Sequence, residues 1–131
     1  MTERMGLWLF KEEPTQFAFE QLRAAGPTPW TGVNNPLARK YLAQVQPGDR
    51  IWFYATGKVR AIVGLMRAIQ GVAGQADVVV EAVRPLLKPV TLARIKAEPS
   101  LADWELVRLP RLSVMPVTAE QWQKIEELEQ D

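Results

Sequence analysis

Trp30 stands in a stretch of Pro, Thr, Gly and Asn, residues 27–35, where no strand or helix period requires a large apolar side chain. Beside the backbone of Gly32 and the amide of Asn35, an indole there offers a stacking face, a close-approach main chain and a donor and acceptor edge. These are the parts a nucleobase pocket needs: stacking contributes on the order of 1–3 kcal/mol per base, and hydrogen bonds then select among bases. The alternative is structural, with Trp30 plugging one end of the fold and Asn35 capping a helix. The residues alone leave both readings open. On the first, Trp30→Ala removes base binding and nearly spares stability; on the second it destabilises as a core change does.

Enzymatic alternatives are narrowed by what is missing. The chain has no cysteine and no histidine, which excludes thiolate nucleophiles, the usual zinc sites and any triad with an imidazole base. Asp, Glu, Lys, Tyr and two serines remain. The carboxylates do not cluster as a hard-metal site or a glycosidase pair would. Glu12 and Glu13 are neighbours at a strand end, so their side chains are expected to diverge to opposite faces. Neither metal, cofactor nor catalysis is expected.

The remaining tryptophans have plainer explanations. Trp8 and Trp52 alternate within apolar strands and Trp122 sits on the apolar face of the last helix, so all three are expected in the core; Trp104 lies in a polar context and is expected to cover a helix end. The net charge of +1 hides an uneven distribution. Residues 120–131 hold five acids and one base, which leaves fifteen bases and ten acids on positions 1–119. That excess favours a polyanion over the body of the chain.

The elements that must position these residues are short. Residues 6–11 form an apolar run stopped by Pro14, a buried strand. Residues 19–25 read as a helix ending at Gly26, and 27–32 as turn. Asn35 and Pro36 open a helix to about Gln44, with Leu37, Tyr41 and Leu42 on its apolar face. A turn at 46–49 precedes an aromatic strand at 50–55. Residues 59–69 and 78–87, parted by Gly71 and Gly74, read as an antiparallel hairpin. Thr91 and Thr118 each cap a helix, with Val90 stapling to Ile95 and Val117 to Trp122, and Gln121 completing a capping box. Residues 106–114 supply a last extended segment. Five or six mostly antiparallel strands with short helices as connections give an α+β fold, a small closed or nearly closed β-barrel.

With 131 residues there is room for one domain, 1–131. No apolar run approaches the roughly 20 residues that cross a bilayer, and residues 1–6 lack the plan of a signal peptide, so a cytoplasmic address is expected.

Four motifs in order then resemble one family. Trp8-Leu9-Phe10-Lys11-Glu12-Glu13-Pro14 resembles the W-L-x-K-S-E-P opening of the EVE domain family of the PUA-like superfamily, the thymocyte nuclear protein type. Trp30-Thr31-Gly32-Val33-Asn34-Asn35 with Ala38-Arg39 is similar to W-D-G-V-R-N-x-x-A-R. Gly48-Asp49-Arg50 with Phe53-Tyr54 matches G-D-x-V-x-F-Y, and residues 111–118 are similar to R-L-S-V-Q-P-V-T. Departures fall at Glu12 for serine, Thr31 for an acid, Asn34 for arginine, Ala55-Thr56 for His-Ser, and in a shortened segment at 70–76.

The resemblance implies a PUA-like barrel whose pocket takes a modified base, such as methylated or hydroxymethylated cytosine, from DNA or RNA. It implies a ligand set of Lys11, Glu12, Trp30, Thr31, Gly32, Asn35, Arg39 and Tyr54, with Ser113 a further candidate. Trp30 would stack, Asn35 and nearby backbone would read the base edge, and Lys11 and Arg39 would meet phosphate or hold the loop. Two other functions compete with such a reader: a PUA-like module that binds structured RNA by surface charge, and a carboxylate-dependent enzyme acting on a nucleotide.

Overall fold

A computed structural model describes residues 6–71 and 78–131. The turn expected at Gly74 lies outside them. Strand β1 (Leu7–Glu12) comes first, then α1 (Phe19–Ala25), β2 (Thr28–Trp30), α2 (Pro36–Leu42), β3 (Arg50–Ala55), β4 (Ala61–Gly71) and β5 (Val78–Thr91). Short helices α3 (Leu92–Lys96) and α4 (Glu105–Arg108) flank a 3-10 turn at Pro99–Leu101, and β6 (Val114–Pro116) and α5 (Ala119–Leu128) close the chain.

The six strands form one sheet in the order β2-β5-β4-β3-β1-β6. Every neighbouring pair is antiparallel except β1 and β3, which run parallel from Leu7 opposite Arg50 to Glu12 opposite Ala55. A parallel neighbour cannot be reached by a tight turn, and the chain crosses over through α1, β2 and α2. Trp8, Leu9 and Phe10 of β1 and Ile51 to Ala55 of β3 are buried, so these strands read as unbroken apolar runs, not alternating ones.

The sheet curls strongly. β2 and β1 stand four strands apart, roughly 19 Å in a flat sheet at the usual spacing, yet the rings of Trp30 and Phe10 lie 5.2 Å apart. Register shifts along the β4–β5 pair, at Ile62/Gly64, Leu65/Met66 and Ala68/Gln70, supply the bending. Gly64 makes room inside the curl, because a Cβ there would run into the ring of Phe19, which packs edge-on against Phe53 at 5.4 Å. The result is a PUA-like α+β fold, a curled half-barrel whose described edges are β2 and β6.

Buried polar groups hold its ends. Asp49 is buried and accepts from Gly6 N (2.9 Å), Trp8 Nε1 (2.9 Å) and Gln46 N (2.8 Å), tying the start of β1 to the turn before β3. Trp52 stacks on Trp122 at 4.0 Å and seats α5. That helix begins with the expected capping box: Gln121 N donates to Thr118 Oγ1, and Thr118 N to Gln121 Oε1.

Several expectations need correction. Residues 28–30 are not turn but an edge strand paired with β5, and Pro29 is tolerated because one side of an edge strand needs no donor. α2 buries Ala38 and Leu42 with Tyr41 half-buried, whereas Leu37 is exposed. Residues 105–108 are helical, not extended, and Trp104 is fully buried at that helix's start, its Nε1 donating to Pro116 O at 3.4 Å. β4 starts at Ala61, which leaves Lys58 and Val59 in the preceding turn, and β5 continues to Thr91.

Candidate nucleic-acid interface

The end of β1 divides the candidate residues. Successive strand residues face opposite sides, so Phe10 and Glu12 share the face that meets Trp30, while Lys11 shares the other with its register partner Tyr54. On the first face a cleft of about 370 Å³ is lined by Glu12, Gln16, Phe17, Thr28, Pro29, Trp30 and Thr31. Trp30 is only 5 % exposed. Its ring packs on Phe10 at 5.2 Å and edge-on against Phe53 at 5.9 Å, so it presents a rim to the cleft while its body belongs to the core. The residue is thus a buried tryptophan at the end of a strand, not a loop residue, and it also lines the cleft.

Glu12 is half-buried here. Burial holds its carboxyl above the usual carboxylate range, against the hydrogen bond from Glu13 N and with the Glu13 charge adding to the rise. Glu13 turns away, its carboxylate accepting from Thr15 and from Thr56 Oγ1. The two carboxylates therefore diverge as expected. Among the described residues no group of three or more acids gathers as a metal site would require.

On the opposite face Lys11 Nζ donates to Pro110 O at 2.9 Å and lies 5.6 Å from the centre of the Tyr54 ring. Burial lowers the Lys11 pKa and raises that of Tyr54, the latter opposed by the Arg60 charge. Both residues line a cavity of about 330 Å³. A larger one of about 580 Å³ adjoins it and shares Gly57, Arg60, Leu92 and Lys96.

The other candidates stand elsewhere. Asn35 Oδ1 accepts from Ala38 N at 3.0 Å as the cap of α2, and the residue borders a separate, mostly apolar hollow with Leu37 and residues 108–112. Arg39 Nη1 donates to Val33 O at 3.2 Å and holds the loop. Gly32 adopts φ +80, which lets that loop turn sharply. Ser113 meets the candidates through its backbone, its carbonyl accepting from Lys11 N. The structure thus brings Glu12, Trp30 and Thr31 to one cleft, pairs Lys11 with Tyr54, and sets Asn35 on a different hollow from the Trp30 cleft. Gln16 and Phe17 escape sequence reasoning, because nothing in a loop sequence shows which residues fold back over a strand end.

A family model for the EVE domain matches residues 6–128. The chain belongs to the EVE domain family. Solved structures similar to this EVE domain include a protein from Rhodopseudomonas palustris, 37% identical over 96% of this chain and 94% of that one, with a TM-score of 0.90. Human THYN1, solved in complex with DNA containing 5-methylcytosine, is 25% identical over 96% and 98% of the two chains, with a TM-score of 0.89. An ASCH protein from Zymomonas mobilis, 16% identical at a TM-score of 0.57 over 94% and 95%, shares the fold. A search of curated proteins finds no match. No helix among the described residues is long and apolar enough to cross a membrane. Of this EVE domain's four motifs, the Gly48-Asp49 pair is a fold anchor, since the buried Asp49 carboxylate is consumed by three N–H donors.

Proposed function

We propose that this EVE domain, acting as one unit over residues 1–131, binds a modified nucleobase flipped out of DNA or RNA, without catalysis. The observation that carries the reading is the cleft of about 370 Å³ whose lining joins a half-buried carboxyl, Glu12, to Trp30 and Phe17. Aromatic edges supply contact with a base, and a carboxylate is the side chain that accepts from the exocyclic amine of cytosine. The human relative's complex with 5-methylcytosine DNA is consistent with that preference. Thr31 borders the opening, while Gly32, Asn35 and Arg39 shape the loop behind it. Lys11 and Tyr54 act from the other face of β1, with Ser113 holding Lys11's backbone.

Calorimetric titration with 5-methyl-2′-deoxycytidine, unmodified deoxycytidine and thymidine tests this. Binding of the methylated cytidine is expected to be tightest, and Glu12→Gln to weaken it about 10- to 100-fold, the worth of a hydrogen bond to a charged group. Mass spectrometry after long incubation should recover each nucleoside unchanged. Equal affinity in wild type, Glu12→Gln and Phe17→Ala would overturn the site, and a released base or lost methyl group would install an enzyme in its place.

A further inference from the structure

Four of the chain's cations gather where the β3–β4 turn meets α3. Lys58 and Arg60 project from the turn and Lys96 from the end of α3, all three exposed, and Lys11 joins them from β1. No carboxylate lines either of the two cavities they share; Glu13 stands behind Gly57, its oxygens taken up by Thr15 and Thr56. None of the four cations forms an ion pair among the described residues. Their neighbours do: Arg84 pairs with Glu129, Arg94 with Asp131, and Lys124 with Glu98 and Glu127. Of the two cations on α3, Arg94 is thus paired with the acidic C-terminus and Lys96 is not.

Two further observations mark the cluster as built. Arg60 has φ +46, the left-handed conformation that non-glycine residues rarely adopt, and it is the one non-glycine residue to do so among the described residues. Its side chain donates to Gly57 O at 3.3 Å and its carbonyl accepts from Leu92 N at 2.8 Å, so both walls hold it there. Lys11 is half-buried with a carbonyl and an aromatic face for company but no anion, and burial lowers its pKa. An ammonium has three donors, and the Pro110 carbonyl takes one.

We propose that this double cavity is a phosphodiester site, which seats the sugar–phosphate backbone of a nucleic acid on the face of β1 opposite the base cleft. The charges are spread over two connected hollows, as a repeating polyanion requires, and are not converged on one point as a single phosphate would require. Lys11 and Glu12 are consecutive residues, so a strand whose base enters the Glu12 cleft has its backbone at the rim between the two faces. The site goes beyond base reading and stands without it.

The test uses the full chain and a fluorescently labelled deoxythymidine oligomer of about 12 nucleotides, which offers the backbone without cytosine. Anisotropy is followed against salt concentration for wild type and for Lys58→Ala, Arg60→Gly and Lys96→Ala combined. Glycine is chosen at position 60 because it accepts the backbone angle found there. Each lost phosphate contact should flatten the log–log salt dependence by about 0.7, so the triple variant by about 2, with affinity falling accordingly. Its binding of 5-methyl-2′-deoxycytidine should equal that of wild type. An unchanged slope and affinity would overturn the proposal, as would thymidine monophosphate binding as tightly as the oligomer. If the triple variant fails to fold, Arg60→Gly alone carries the test. If free nucleosides bind to no version while the slope still flattens, the phosphodiester site stands and the base reading falls.

Discussion

The two faces of β1 at Lys11 and Glu12 are built on different principles. The Glu12 face is made by packing: Trp30 lies against Phe10 and Phe53, so the wall of the cleft is also the core. The Lys11 face carries cations from a turn and a short helix, exposed at Lys58, Arg60 and Lys96, above a floor that includes the buried Tyr54 and Leu106. A cleft that shares its wall with the core cannot be altered without cost to folding, whereas a charged rim can. Under the function proposed above, specificity sits in the rigid part of the molecule and electrostatic attraction in the replaceable part.

The sharpest way to break this contrast is Trp30→Ala. Loss of a buried tryptophan is expected to cost about 3–5 kcal/mol, measured by denaturant unfolding, while Lys58→Ala on the other face should stay within about 0.5 kcal/mol. A stable Trp30→Ala protein that has lost only base binding would restore the loop reading of that residue and erase the distinction.

A second comparison sets Glu12 against Glu129. Burial disfavours the Glu129 carboxylate, but the two hydrogen bonds from Arg84 and one from Leu87 N outweigh it and lower its pKa. Its contribution to stability is present above the ordinary carboxylate range and lost as pH falls through the lower folded value. Glu12, raised by burial, has the opposite sign. Its contribution is full below the ordinary range and lost as pH rises through the raised value. Melting curves from about pH 3 to 7 should show Glu129→Gln weakening the acid-side fall in stability, and Glu12→Gln relieving a penalty at neutral pH. Identical pH profiles for the two variants would remove the distinction between them.

The smallest expected effect lies on neither face. Thr118→Ala removes the N-cap of α5 and should cost about 1 kcal/mol, with no change in nucleoside affinity or in salt slope. A parallel loss of affinity would place α5 in the site.

Much of the fold was legible because local rules govern it. The helix from Phe19 to Ala25, the Asn35 and Thr118 caps and the aromatic strand Arg50–Ala55 follow from short-range propensity and hydrogen bonding, and all are where the residues imply. The helix at Glu105–Arg108 was not legible, since the burial of Trp104 and Leu106 that stabilises it depends on distant partners such as Pro116. The candidate site was legible only in pieces. Asn35 looked like Trp30's companion by sequence distance, yet its oxygen is committed to the α2 cap.

The sequence by itself determined the absence of thiol and imidazole chemistry, the basic body with an acidic tail, the aromatic strand Arg50–Ala55 and the caps at Asn35 and Thr118, because composition and short-range periodicity require no knowledge of neighbours. Only the tertiary structure decided that Lys11 and Glu12 serve different clefts, that Trp30 is core, and that Lys58, Arg60 and Lys96 share one hollow. The reason is physical: strand pleating sends adjacent side chains apart, while sheet curl brings distant ones together, and neither distance is written in residue order.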